Sequence, residues 1–167
     1  MEVNVEKEVL EEAVYKLLCK YHLTVATAES CTGGLLAGRL INVPGISANF
    51  KEGYITYANE SKEKILGVSH DTLENYGAVS EQTAGEMAQG CKTVAGTDIG
   101  IGITGIAGPD GGTEQKPVGL VYIGCCYKDR TYVRKCIFTG NRREIRENAV
   151  GNALVFLQDV ILNEVTE

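Results

Sequence analysis

Apolar side chains recur at helical spacing near both ends of the chain. The two patterns span residues 5–21 and 142–162, and each places its apolar residues on one face of a helix. Between them, shorter patterns predict helices at residues 35–41, 47–51, 60–66, 71–76 and 81–94. Short β-branched and apolar runs predict strands at residues 23–28, 53–58, 98–104, 118–127 and 131–138.

The alternation of helices and strands predicts an α/β fold. Residues 128–130 form a short polar link between the last two strands, which indicates an antiparallel hairpin. The sheet is therefore expected to be mixed, in a single-domain layered sandwich with helices on its faces. The length of 167 residues suits one domain over residues 1–167.

Charge and composition exclude several classes of protein. The net charge is −6 and the only dense basic cluster is small, at Arg142, Arg143 and Arg146, which argues against nucleic acid or an anionic membrane as a partner. No apolar run approaches the roughly 18 residues of a membrane-spanning helix, and the acidic residues 1–10 do not resemble a secretory signal. We therefore expect a cytoplasmic protein.

The six cysteines show no C-x-x-C spacing, and the chain has only two histidines. Neither a zinc site nor a redox motif is supported by this pattern. We expect free thiols, no bound metal and no cofactor.

A glycine-rich turn at residues 28–34 follows the first predicted strand and precedes a helix. Backbone N–H groups at such a turn favour an anion, and glycines allow a ligand to approach the main chain closely. An ordinary turn in which Ser30 or Thr32 caps the helix explains the same residues.

Two further polar positions could carry chemistry. Ser47 is predicted at the start of a short helix, where it is either a nucleophile or a simple N-cap. With Asn59 as N-cap, Lys62 lies in the first turn of the next helix, whose positive end and burial would both lower the pKa of the amine. A neutral lysine can act as general base for a serine; a solvated surface lysine is the alternative. Tyr57, just before this helix, is an aromatic residue that could equally be part of the core.

The loop at residues 104–112 contains four glycines directly after a buried strand. Its spacing matches neither a P-loop nor a dinucleotide fingerprint, so it predicts either a ligand cradle of another kind or a plain irregular loop. Arg142, Arg143 and Arg146 begin the last helix, where cations are unfavourable unless an anion compensates them. That anion is either a carboxylate or a bound phosphate.

Taken together and in order, these segments resemble the C-terminal domain family of the competence/damage-inducible protein CinA, also known as PncC. The resemblance covers residues 5–162 and rests on four stretches, AESCTGG (28–34), GYITYANESK (53–62), GAVS (77–80) and GITGIAGPDGG (102–112), followed by KPVG (116–119). It implies an enzyme that hydrolyses nicotinamide mononucleotide to nicotinate mononucleotide and ammonia, in pyridine-nucleotide salvage, without a metal or cofactor.

The resemblance also implies a Ser/Lys hydrolytic centre. We take Ser47 as the nucleophile, Lys62 as its base and Tyr57 as the group that orients or relays the proton, with Ser30 as the alternative nucleophile. The expected substrate-binding residues lie in the glycine-rich turns and at the start of the last helix: Ser30, Thr32, Gly33, Thr104, Gly105, Ala107, Gly108 and Arg142.

Two other functions compete with this one. The same loops could bind a nucleotide without catalysis, and Cys31 could act as a thiol nucleophile because a helix N-terminus stabilises thiolates. The expected partner is a small nucleotide substrate, and the chain is expected to form a homo-oligomer.

Overall fold

The computed structural model describes residues 9–165, which form a five-stranded sheet covered by helices on both faces. The helices, in chain order, are α1 (Leu10–Lys20), α2 (Leu35–Leu40), α3 (Asn59–Leu66), α4 (His70–Tyr76), α5 (Glu81–Ala95) and α6 (Arg142–Val165). The strands are β1 (Val25–Glu29), β2 (Phe50–Ile55), β3 (Ile99–Gly105), β4 (Leu120–Tyr127) and β5 (Arg130–Ile137). The predicted α/β sandwich is confirmed.

The strand order is β2-β1-β3-β4-β5. Strands β2, β1 and β3 are parallel, whereas β4 and β5 run antiparallel as the predicted hairpin. The chain that leaves β1 continues through α2 to β2, its neighbour on one side, whereas the chain that leaves β3 continues to β4, its neighbour on the other side. Ligands of open α/β sheets bind at such a switch point, beyond the carboxyl ends of the strands.

The two faces of the sheet carry different residues because side chains alternate along a strand. On β3, Ile99, Ile101 and Ile103 join the larger apolar core with α1, α2 and α6. The intervening Gly100 and Gly102 face α5, whose backbone lies so close that a Cβ at either glycine would clash with it. The Ile/Gly alternation that predicted a buried strand therefore also seats a helix directly on the sheet.

Four predictions around the second strand are wrong: the helix before it, both of its ends and the N-cap that follows it. A single 3₁₀ turn (Ile46–Ala48) replaces the predicted helix at 47–51, and pairing begins early because the N–H of Val25 donates to the carbonyl of Asn49 at 2.9 Å. Strand β2 consequently ends at Ile55 rather than at residue 58. Ala58, not Asn59, occupies the N-cap position of α3 and provides no side-chain cap.

At the chain ends, the predicted start of the first helix at residue 5 lies outside the described residues. The last helix continues to Val165, three residues beyond its predicted end.

Candidate active site

The candidate site lies where the carboxyl ends of three parallel strands meet. Ser30 follows β1, the loop from Thr56 to Ala58 follows β2, and the glycine-rich loop begins at the end of β3. The N–H of Ser30 still donates to the carbonyl of Ile103 at 2.9 Å, which fixes the first turn beside β3.

Lys62 is the most unusual residue at this edge because its side chain is only 1% exposed. Its Nζ lies 3.1 Å from Ser30 Oγ, 2.8 Å from the carbonyl oxygen of Thr56 and 3.1 Å from that of Tyr57. Those two carbonyls are free to accept because β2 ends at Ile55 and the chain has left the sheet.

Burial lowers the pKa of Lys62, although the carboxylate of Glu60 acts in the opposite direction. A neutral amine has two N–H donors and one lone pair. If the two donors remain on the carbonyls of Thr56 and Tyr57, the lone pair is directed at Ser30 Oγ. The positive end of the helix was also expected to lower this pKa, but burial is the main physical cause in the structure.

The structure does not bring Ser47 to Lys62. Ser47 precedes β2, whereas Lys62 follows it, so the two residues lie at opposite ends of a six-residue strand. At about 3.3 Å per residue the strand separates its ends by about 16 Å. Ser47 is exposed, and its carbonyl accepts a hydrogen bond from Lys51 Nζ at 3.3 Å. Ser30 stands beside the lysine instead.

The turn after Ser30 is held from two sides. The buried Glu29 carboxylate accepts hydrogen bonds from the N–H groups of Leu36 at 2.8 Å and Ala37 at 3.1 Å. This carboxylate therefore occupies the start of α2, where the sequence predicted that an anionic ligand could bind. From the other side, Arg146 donates to the carbonyls of Cys31 and Thr32.

A cleft of about 230 Å³ opens beside this turn. Its lining combines the turn, the segment before α3, the glycine-rich loop and the start of α6: Cys31, Tyr57, Gly105, Ile106, Ala107, Gly108, Asp110, Gly111 and Arg142. Arg142 spans the cleft, since one Nη donates to the carbonyl of Gly108 at 2.7 Å and the other to the Tyr57 hydroxyl at 3.2 Å. Tyr57 is 63% exposed and therefore not a core residue.

Residues 7–161 match the family profile described as the CinA C-terminal domain. The chain belongs to the CinA C-terminal domain family. A CinA-like protein of Kosmotoga olearia is 54% identical over 159 residues, which are 95% of this chain and 39% of that protein. A relative from Clostridium novyi (strain NT), which carries the name of a competence-damage inducible protein, is 56% identical over 93% of this chain and 37% of its own length.

Solved structures of CinA proteins share the fold as well as the sequence. The competence damage-inducible protein A of Klebsiella pneumoniae superposes with a TM-score of 0.90 at 34% identity, covering 93% of this chain and 96% of that one. The protein CihA of Agrobacterium tumefaciens gives 0.85 at 39% identity, covering 90% and 94%. The predicted family is confirmed, and the chain spans less than two-fifths of the curated relatives just named.

Some residues that were predicted to bind substrate instead make contacts within this CinA domain, whereas others line the cleft. Thr104 is buried and its hydroxyl donates to the carbonyl of Ala78 at 2.7 Å, so it links β3 to the segment before α5. Gly33 lies beside the Arg146 guanidinium. Gly105, Ala107 and Gly108 do line the cleft. The Thr32 hydroxyl is buried without a hydrogen-bond partner in the described part of the chain.

The three arginines at the start of α6 have different partners. Arg143 pairs with Glu147 at 2.8 Å on the exposed side of α6. Arg142 and Arg146, four positions apart, share a helix face and reach the two sides of the site. Of the three, only Arg143 is paired with a carboxylate among the described residues; the partners of Arg142 and Arg146 are neutral. The i,i+4 spacing was the available signal for Arg146, which the sequence analysis did not assign to the site.

Cys31 is poorly suited to be a nucleophile in this CinA domain. It is 7% exposed, and burial raises the pKa of its thiol to about 11. The thiolate form that attacks a carbonyl is therefore disfavoured.

Two searches of residues 9–165 gave no candidates. No three histidine, cysteine, aspartate or glutamate side chains are grouped as metal ligands would be. None of the helices in this range has the length and apolar character needed to cross a membrane.

Proposed function

We propose that this CinA domain is an amidohydrolase that converts nicotinamide mononucleotide to nicotinate mononucleotide and ammonia, with Ser30 as nucleophile and Lys62 as base. The single observation that carries the proposal is the buried Lys62 amine, held by two main-chain carbonyls and 3.1 Å from Ser30 Oγ. A Ser–Lys pair is an established variant of the serine hydrolase centre.

In the first half of the reaction, Lys62 accepts the proton of the Ser30 hydroxyl as Oγ attacks the carboxamide carbon. The carbonyl oxygen then carries negative charge and needs hydrogen-bond donors. Collapse of the tetrahedral species breaks the C–N bond. Lys62 transfers its proton to the departing nitrogen, ammonia leaves and a serine ester remains.

In the second half, water replaces ammonia. Lys62, neutral again, accepts a proton from the water as its oxygen attacks the ester carbonyl. The ester bond breaks and the proton passes to Ser30 Oγ, so the carboxylate product leaves and the enzyme is restored. The carboxylic acid formed loses its proton, which the released ammonia takes up, so one amide and one water are consumed for each carboxylate and ammonium ion formed.

The cleft provides a place for the rest of the substrate. Arg142 is the cation in its lining, and it uses two N–H groups on Gly108 and Tyr57. A guanidinium has five N–H donors in a planar fork that suits phosphate. We therefore assign Arg142 to the phosphate and the exposed Tyr57 ring to the base or sugar.

The test is ammonia release from nicotinamide mononucleotide by the purified protein. We expect Ser30→Ala and Lys62→Ala each to lower kcat by at least about 10³-fold, as for nucleophile and base in other serine hydrolases. Lys64→Ala is the matched control because Lys64 is exposed on the same helix. Ser47→Ala decides between the two serines and is expected to remain active.

Folded wild-type protein that binds the nucleotide but releases no ammonia would be a nucleotide-binding module rather than an enzyme. Full activity of Lys62→Ala would remove the base from the mechanism.

A further inference from the structure

Arg146 uses its guanidinium on two successive main-chain carbonyls. Its Nε donates to the carbonyl of Cys31 at 2.9 Å and one Nη donates to that of Thr32 at 3.2 Å. The side chain is half-buried, and within residues 9–165 it has no ion pair with a carboxylate. The Arg146 guanidinium is thus bound to the turn that follows Ser30 rather than to an acidic side chain.

These hydrogen bonds fix the orientation of a neighbouring donor. The carbonyl of Cys31 and the N–H of Thr32 belong to one planar trans peptide unit, so they point in opposite directions. The N–H of Gly33 is already bound to the carbonyl of Ser30 at 3.1 Å. The N–H of Thr32 has no acceptor among the described residues.

We propose that Arg146 is a positioning residue that holds the Thr32 N–H as a donor to the oxyanion formed at Ser30, a role that rests on the proposed amide hydrolysis. A donor aimed in advance at the developing charge needs no reorganisation during the reaction. The cation also polarises the peptide unit by binding its carbonyl, which strengthens the N–H as a donor.

The test compares Arg146→Gln and Arg146→Lys with the control Arg143→Gln. Arg143 lies on the same helix but is exposed and paired with Glu147. Removal of an oxyanion donor costs about 10²–10³ in kcat, and a donor that is only misplaced costs less. We expect Arg146→Gln to lower kcat for nicotinamide mononucleotide by about tenfold to a hundredfold. Its KM should stay unchanged, and Arg146→Lys should fall between it and wild type.

A second measurement does not depend on the substrate. A fluorophosphonate reacts with an activated serine when Oγ bonds to phosphorus, fluoride leaves and the hydroxyl proton passes to the base. The phosphoryl oxygen then uses the same donors. We expect the rate of Ser30 labelling to fall in the order wild type, Arg146→Lys, Arg146→Gln, with Arg143→Gln equal to wild type.

An unchanged kcat and labelling rate in both Arg146 variants, or a change confined to KM or to thermal stability, would show that Arg146 only ties α6 to the turn. If Arg146→Gln does not fold, the Lys variant decides by the same criteria. If wild-type Ser30 is labelled but no ammonia is released, the substrate assignment fails while the labelling rates still decide the role of Arg146.

Discussion

Gly102→Ala should push α5 slightly away from the sheet, although it adds only one methyl group. A Cβ at Gly102 would lie 2.7 Å from the Ala84 carbonyl oxygen, 2.7 Å from the Ala88 nitrogen and 2.8 Å from Met87 Cβ. Ordinary contact begins at 3.4 Å, so α5 must retreat by the difference, 3.4 − 2.7 = 0.7 Å. None of these three atoms can move by a side-chain rotation.

The retreat affects more than one position. Gly100 and Gly124 also face the α5 backbone, at Ala88 and Ala84, so moving the helix loosens both contacts. Overpacking a core costs typically 1–3 kcal/mol, and the rigid neighbours place this case near the upper limit, at about 3 kcal/mol. At roughly 2–4 °C per kcal/mol for a domain of this size, Tm should fall by about 6–12 °C.

The assay is thermal unfolding followed by circular dichroism, with urea unfolding for the free energy. Gly151→Ala is the matched control because Gly151 lies on α6 and a Cβ added there would have no neighbouring atom within 4 Å. Replacing that helical glycine should add up to about 1 kcal/mol of stability. A Tm for Gly102→Ala within about 2 °C of wild type, which corresponds to less than about 1 kcal/mol, would refute this account of the close packing.

The remaining predictions concern three single groups. Because burial lowers the pKa of Lys62 and the neutral amine is the proposed base, kcat/KM should rise with pH through that lowered value and then level off. The wild-type free energy of unfolding should also rise, relative to Lys62→Met, as pH increases from the folded pKa towards about 10.4. Cys31→Ala should retain activity, and Cys31 should resist alkylation at pH 8, since its pKa is raised to about 11; loss of activity would restore the thiol mechanism. Ser80→Ala should cost about 1 kcal/mol in urea unfolding, because the Ser80 hydroxyl accepts from the N–H of Thr83 at 3.1 Å; an unchanged midpoint would contradict the cap.

Most of the fold could be predicted from the sequence because its signals are local. The Ile/Gly alternation in β3 and the Ser80 cap each act over a few residues. The end of β2 could not be predicted, since it depends on where the chain meets β1 rather than on its own residues. Because β2 was predicted to continue to residue 58, the sequence also could not predict that the carbonyls of Thr56 and Tyr57 are free to accept hydrogen bonds from Lys62.

The candidate site was harder to predict because it depends on strand direction. Lys62 could be singled out from its place at a helix start, but its partner serine could not. Once β1 and β2 are known to be parallel, Ser30 and Lys62 fall at one edge of the sheet and Ser47 falls at the other. Arg146 acts on main-chain atoms more than 110 residues away in sequence, as its separations of 115 and 114 from Cys31 and Thr32 show.

In the proposed mechanism, the attachment of the Lys62 amine to two carbonyls would also impose an order on the proton transfers. With two of its positions engaged, the nitrogen would exchange a proton with only one other atom at a time: first the alcohol, then the nitrogen that departs, then water, and finally the alcohol oxygen again. A substrate mimic that gives this amine a permanent acceptor would halt the cycle at that step, even with the nucleophile still intact.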